Sequence, residues 1–102
     1  MGDFRIQAHQ EFTKRIIYSN SELKEINCID VGAFIGVITL MMAKELSRTS
    51  ANWKVHSFEP FKETFFRLKD NIEISHNSKN IEIHNFGLSN ITGNQKMLIS
   101  DN

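Results

Sequence analysis

One cysteine, one proline and no long apolar run set the first limits on this 102-residue chain. With Cys28 alone, an internal disulfide and a cysteine-based zinc site are excluded, and the chain reads as a reduced, cytoplasmic protein. The longest apolar stretch, Gly32 to Ala43, falls short of the roughly 20 residues that cross a bilayer, so no membrane span is expected. The opening residues hold no apolar signal core, and Ile6 stands where a myristoylation signal needs Ser or Thr. Charge of one sign is lacking as well: 12 basic residues balance 12 acidic ones. No one-signed field results, so nucleic acid and anionic membrane surfaces are not expected partners. His9, His56, His76 and His84 show no ligand spacing, and no metal site is expected. There is no repeat and no low-complexity linker. What remains is ordinary globular composition, 40% hydrophobic and 24% charged, enough for one domain at most.

The elements alternate. Phe4 to Tyr18 is predicted to be helical, with Phe4, Ala8, Phe12 and Ile16 on one face. Ile26 to Val31 is a short apolar strand ending in glycine. Phe34 to Arg48 is predicted to be a helix, apolar nearly all round and therefore buried against a sheet. Trp53 to Phe58 is a second strand. Pro60 stands where a third helix begins, since its missing N–H costs nothing in a first turn, and Phe61, Phe65, Leu68 and Ile72 follow at helical spacing. The phenylalanines of this helix are expected to face the sheet. Ile81 to Leu88 alternates like a third strand, and Lys96 to Ser100 reads as a further one. Strands alternating with helices imply βαβ crossovers and a mainly parallel sheet. Right-handed crossovers place the first three strands in the order 3-2-1. The fold class expected is therefore α/β, the first half of a Rossmann-like doubly wound sheet with helices on both faces.

The most informative segment runs from Cys28 to Gly36, a strand entering glycines and then a helix. Gly32 lets the chain turn sharply and approach a ligand with no side chain in the way. Gly36, one helical turn on, permits close packing of a ligand or a strand. The helix start adds free N–H groups and partial positive charge, which suits a nucleotide-like cofactor. The dinucleotide fingerprint G-x-G-x-x-G is absent, because the spacing is Gly32-x-x-x-Gly36 and Ile38 follows where a further glycine would open the helix start. No Gly-Lys-Ser/Thr follows either. Asp30 is a poor neighbour for a pyrophosphate and a good one for an amino or sulfonium group. In Ser57-Phe-Glu-Pro, Glu59 falls at the end of the second strand, where a carboxylate can accept hydrogen bonds from both hydroxyls of a ribose. Plainer readings stand beside these. Asp30 could cap its loop or pair with a cation, Glu59 could cap the next helix, and Gly32 and Gly36 could be ordinary turn and packing residues. Cys28, Met41 and Met42 read as core.

Asp30-Val-Gly-Ala-Phe-Ile-Gly, Phe58-Glu-Pro, Leu68-Lys-Asp-Asn, and Phe86-Gly-Leu-Ser-Asn followed by Thr92-Gly resemble, in order and spacing, the FkbM family of methyltransferases. The resemblance covers roughly residues 26 to 100. It implies a Rossmann-like enzyme that uses S-adenosylmethionine to methylate an oxygen on a sugar, glycolipid or natural product. It implies that Asp30, Gly32 and Gly36 line the methionine side of the cofactor, with Ala33 and Phe34 between them, and that Glu59 holds the ribose. It places the Gly87-Leu88 turn near the adenine. The acceptor would be a small molecule or a glycan. The chain departs from the family at Phe34, where the usual residue is Asn, so a hydrogen-bonding side chain is lost.

On this reading residues 1–25 are an N-terminal helical segment and residues 26–102 part of a cofactor-binding domain, expected to be a fragment of a longer protein, with a degraded gene or a partner that supplies the other half as alternatives, and no catalytic base can be named. The first strand would then be an unpaired edge that invites self-association. Two other functions compete: a nicotinamide-dependent oxidoreductase fragment, and a non-catalytic interaction module built on the same fold.

Overall fold

The computed structural model describes residues 7–8, 10–11, 13–15, 22–87 and 98–101. The described residues before position 16 are helical. Ala8, expected on the buried face of that helix, is exposed, and Thr13 is buried instead. Gln10 shares the face of Thr13, three residues apart, and its Nε2 donates to Glu45 Oε1 at 3.2 Å, which turns that face inward.

β1 (Glu25–Val31), β2 (Asn52–Phe58), β3 (Ile81–His84) and β4 (Leu98–Asp101) form one sheet in the order β3-β2-β1-β4, with every pair parallel. The order 3-2-1 is as expected from right-handed crossovers. β1 is not the unpaired edge that was expected, because β4 pairs with it along Cys28–Val31. The β1 backbone groups on that side are thereby satisfied, and the outer position passes to β4.

α1 (Val37–Leu46) follows β1 and α2 (Lys62–Glu73) follows β2. Both start later than their periodicity suggests. Phe34 and Gly36 have φ of 55° and 99°, outside the range of a right-handed helix, so α1 cannot begin before Val37. Phe61 is extended, and Pro60 lies outside α2. β3 stops at His84 rather than Leu88. Asn85 turns away, its Nδ2 donating to the carbonyls of Glu59 and Pro60 at 2.9 and 3.2 Å. Leu88 lies outside the described residues.

Register sets the two faces. Ile26, Cys28 and Asp30 pair with Trp53, Val55 and Ser57, and Val55 and Ser57 pair with Ile81 and Ile83, so all eight share one face. Met42, Ala43 and Leu46 of α1 and Leu68 and Ile72 of α2 pack there into a single core. Each such side chain contributes about 1.5–3 kcal/mol when fully buried. The helices that follow β1 and β2 therefore lie on the same face. The reason is direction: β1 to β2 to β3 is two steps the same way, and right-handed crossovers put both helices on the same side. Of the phenylalanines of α2, Phe65 packs against the core with Leu68 and Ile72, as expected, while Phe66 is 49% exposed beneath the Lys62 ammonium; Phe61, just before the helix, is 73% exposed. Cys28 is fully buried, as expected, and burial pushes its thiol up to about 12. Among the described residues no helix is long and apolar enough to cross a membrane.

Candidate functional site

The carboxyl ends of β1 and β2 meet the start of α1, the edge at which open α/β sheets bind ligands. The loop between Val31 and Val37 is held by backbone bonds from the neighbouring strand. Gly32 N–H and Ala33 N–H both donate to the Phe58 carbonyl, at 2.9 and 3.0 Å. Gly36 N–H closes the turn on Ala33 O at 3.0 Å, and Asn71 Nδ2 of α2 reaches Ile35 O at 2.8 Å.

Glu59 is the centre of this arrangement. It is 4% exposed, and each carboxylate oxygen receives one backbone N–H: Phe34 N–H on Oε1 and Phe61 N–H on Oε2, both at 3.0 Å. Its own N–H donates to His84 O at 3.0 Å, which ties the site to β3. The capping reading is thus correct in part, since Glu59 satisfies a donor at the start of α2. A carboxylate oxygen accepts two hydrogen bonds, so each retains one direction for a ligand hydroxyl. The exposed rings of Phe34 and Phe61 belong to the two residues whose amides grip it.

Asp30 lies deeper. It is fully buried, and Thr39 Oγ1 of α1 donates to its Oδ2 at 2.6 Å. Thr39 Oγ1 also lies 2.6 Å from Ser57 Oγ. Thr39 has one hydroxyl hydrogen. With that hydrogen on Asp30, Ser57 must donate to Thr39, and the three side chains form a directed chain ending on the carboxylate. Asp30 fixes the start of α1 on β1 and β2 from beneath the loop.

The two glycines differ. Around Gly32, at φ 68°, a Cβ would meet nothing within 4 Å. At Gly36 it would stand 2.9 Å from Leu68 Cδ1 and 3.6 Å from Ile72 Cδ1. Gly32 leaves room on the ligand side, and Gly36 lets α2 approach. Phe34, at φ 55° and 62% exposed, holds a backbone conformation that asparagine adopts far more readily than an aromatic residue. Gly87 follows Phe86, whose ring centroid is 5.6 Å from that of Phe58, and is partly exposed. The structure thus brings Asp30, Gly32, Ala33, Phe34, Gly36 and Glu59 together, with Thr39 and Ser57 added as supports. On the far face of the sheet, His56 and His84, read as lacking ligand spacing, converge with Glu82.

No protein-family model and no curated protein matches the sequence. Solved structures do match. P. horikoshii TYW2 in complex with MeSAdo is similar with a TM-score of 0.63 at 19% identity, over 91% of this chain and 31% of that one. The plantazolicin methyltransferase BpumL in complex with SAH is similar with a TM-score of 0.61 at 13% identity, over 89% and 33%. The glycopeptide N-methyltransferase MtfA complexed with sinefungin gives 0.62 at 9% identity, over 89% and 36%. The chain shares part of the Rossmann-like fold of these structures. The chain spans about a third of the length of these structures. In this Rossmann-like sheet, the β1–α1 loop and Glu59 occupy the carboxyl edge.

Proposed function

We propose that this chain is the cofactor-binding part of an S-adenosylmethionine-dependent methyltransferase. The observation that carries the reading is the pairing of Glu59 with Gly32. A buried carboxylate holds one N–H on each oxygen, beside a loop glycine whose ligand side is open. Glu59 would accept both ribose hydroxyls. Gly32 would give the methionine part a wall without a side chain, beside the small Ala33. Asp30 would place negative charge beneath the cationic end while holding α1 in position through Thr39. Gly87 and Leu88 would border the adenine. The cofactor supplies a sulfonium methyl for in-line displacement, and this chain's share is to hold it in the attacking geometry. Matched structures whose names carry SAH, MeSAdo and sinefungin support this choice of cofactor. The FkbM-like motifs favour O-methylation of a sugar, glycolipid or natural-product hydroxyl, in the cytoplasm.

Calorimetric titration with S-adenosylhomocysteine tests the reading, with Glu59→Gln beside the parent chain. Saturable binding that weakens by about tenfold or more in the variant is expected, since a hydrogen bond to a charged group contributes about 1.5–3 kcal/mol. NADH should not bind, because the loop lacks the pyrophosphate glycine pattern. A folded chain that binds NADH and not S-adenosylhomocysteine would make the oxidoreductase reading the correct one. A folded chain that binds neither would favour the interaction module.

A further inference from the structure

The face of the sheet away from α1 and α2 carries a second group of side chains. Parallel pairing of β2 with β3 sets His56 opposite Glu82 and Phe58 opposite His84. Strand alternation puts all four on that face. One ligating atom from each of His56, Glu82 and His84 lies within 4.8 Å of the other two. His56 Nδ1 is 3.2 Å from Glu82 Oε2, while Lys54 Nζ takes Glu82 Oε1 at 3.2 Å. His84 Nε2 is buried and has no hydrogen-bond partner among the described residues. Its ring is held in place by stacking on Phe58, centroids 4.6 Å apart and planes 13° apart, and by Phe86 at 5.4 Å.

A buried ring nitrogen normally finds a partner, and one that does not calls for an explanation. Two imidazoles and a carboxylate converging on one point supply it. We infer that His56, Glu82 and His84 form a binding site for a divalent transition-metal ion of the zinc class. The donor set decides the class: imidazole nitrogen with one carboxylate suits zinc and its neighbours, whereas calcium and magnesium take all-oxygen sites. Metal bonds of about 2.0–2.2 Å in a tetrahedron need ligand atoms roughly 3.3–3.5 Å apart. The ligand atoms, now within 4.8 Å of one another, close on such an ion by moving up to about 1.5 Å. Three protein ligands leave a fourth position, and a cavity of about 410 Å³, lined in part by Asn27, Lys54, His56 and Glu82, opens beside it. The site is on the face of the sheet opposite the core and is separate from Glu59 and the β1–α1 loop.

The test is calorimetric titration of the metal-stripped chain with zinc chloride, followed by the visible spectrum of the cobalt(II) form. His84→Gln, Glu82→Gln and, as a control at an exposed position, His76→Gln are compared, each checked for folding by circular dichroism. One saturable site per chain is expected, with the intense cobalt bands of a four-coordinate ion. Affinity should fall at least tenfold in His84→Gln and in Glu82→Gln and stay unchanged in His76→Gln. Absence of saturable binding by the folded chain overturns the inference, and so does binding that survives both ligand substitutions. S-adenosylhomocysteine binding by His84→Gln reports on the other site, so failure of one reading is separable from failure of the other.

Discussion

Replacing Gly36 by alanine should destabilise the chain strongly, and replacing Gly32 should not. Both glycines have positive φ, 99° and 68°. Forcing an L-residue into left-handed space costs about 1–2 kcal/mol. Alanine returns about 0.4–1 kcal/mol by restricting the unfolded chain. Those two effects apply to both positions and nearly cancel, leaving about 0.5–1 kcal/mol against each variant. The positions part over what the new methyl meets. At Gly32 it enters open space. At Gly36 it stands 2.9 Å from Leu68 Cδ1. A leucine tip can normally rotate aside, but Leu68 is fully buried in the core shared by α1, α2 and the sheet. Overpacking of this kind costs about 1–3 kcal/mol. The expected totals are about 0.5–1 kcal/mol for Gly32→Ala and about 1.5–4 kcal/mol for Gly36→Ala. For a domain of this size that difference shifts the Tm by roughly 4–8 °C per kcal/mol. Urea denaturation of the two variants and the parent measures it. Equal midpoints for the two variants would refute the argument, because the close contact with Leu68 and the larger φ both count against Gly36→Ala. The same proteins test the division of labour at the loop. Gly32→Ala should lose S-adenosylhomocysteine affinity out of proportion to its small loss of stability.

Thr39→Val should cost about 2–3 kcal/mol in urea denaturation, since it removes a 2.6 Å donor from the buried Asp30 and the acceptor of Ser57; a loss below about 0.5 kcal/mol would mean the three side chains do not act as a chain. Cys28 should resist thiol reagents in the folded protein and react on denaturation. Its thiol is raised from 9.0 to about 12 by burial, so between those values the unfolded chain has lost a proton that the folded chain keeps. Stability is therefore complete below about pH 9 and falls at about 1.4 kcal/mol per pH unit above it. Denaturation midpoints at pH 8 and pH 10.5 measure the slope, and a Cys28→Ala chain should lack that part of it.

The order of elements was legible because periodicity is local. Val55 and Ile81 declare strands, and Leu68 and Ile72 declare a helix face, whatever lies around them. Element ends were less legible. The conformation of Phe34 depends on a carboxylate 25 residues away, and Asn85 stops β3 by reaching back to Glu59. Of the spacing Phe61, Phe65, Leu68 and Ile72, the last three pack on the core, and Phe61, which precedes α2, stays outside.

From the sequence alone came the βαβ alternation, the glycine turn after β1 and the acidic residue closing β2, since each depends on neighbours a few positions away. Tertiary structure alone decided that Glu59 grips two amides, that Asp30 acts from beneath its loop, and that Gly32 faces open space while Gly36 faces Leu68. It also decided that His56 meets Glu82 and His84, residues 26 and 28 positions away. Parallel pairing brings such residues together only through a crossover, and the register of a crossover is set by how the intervening helix packs.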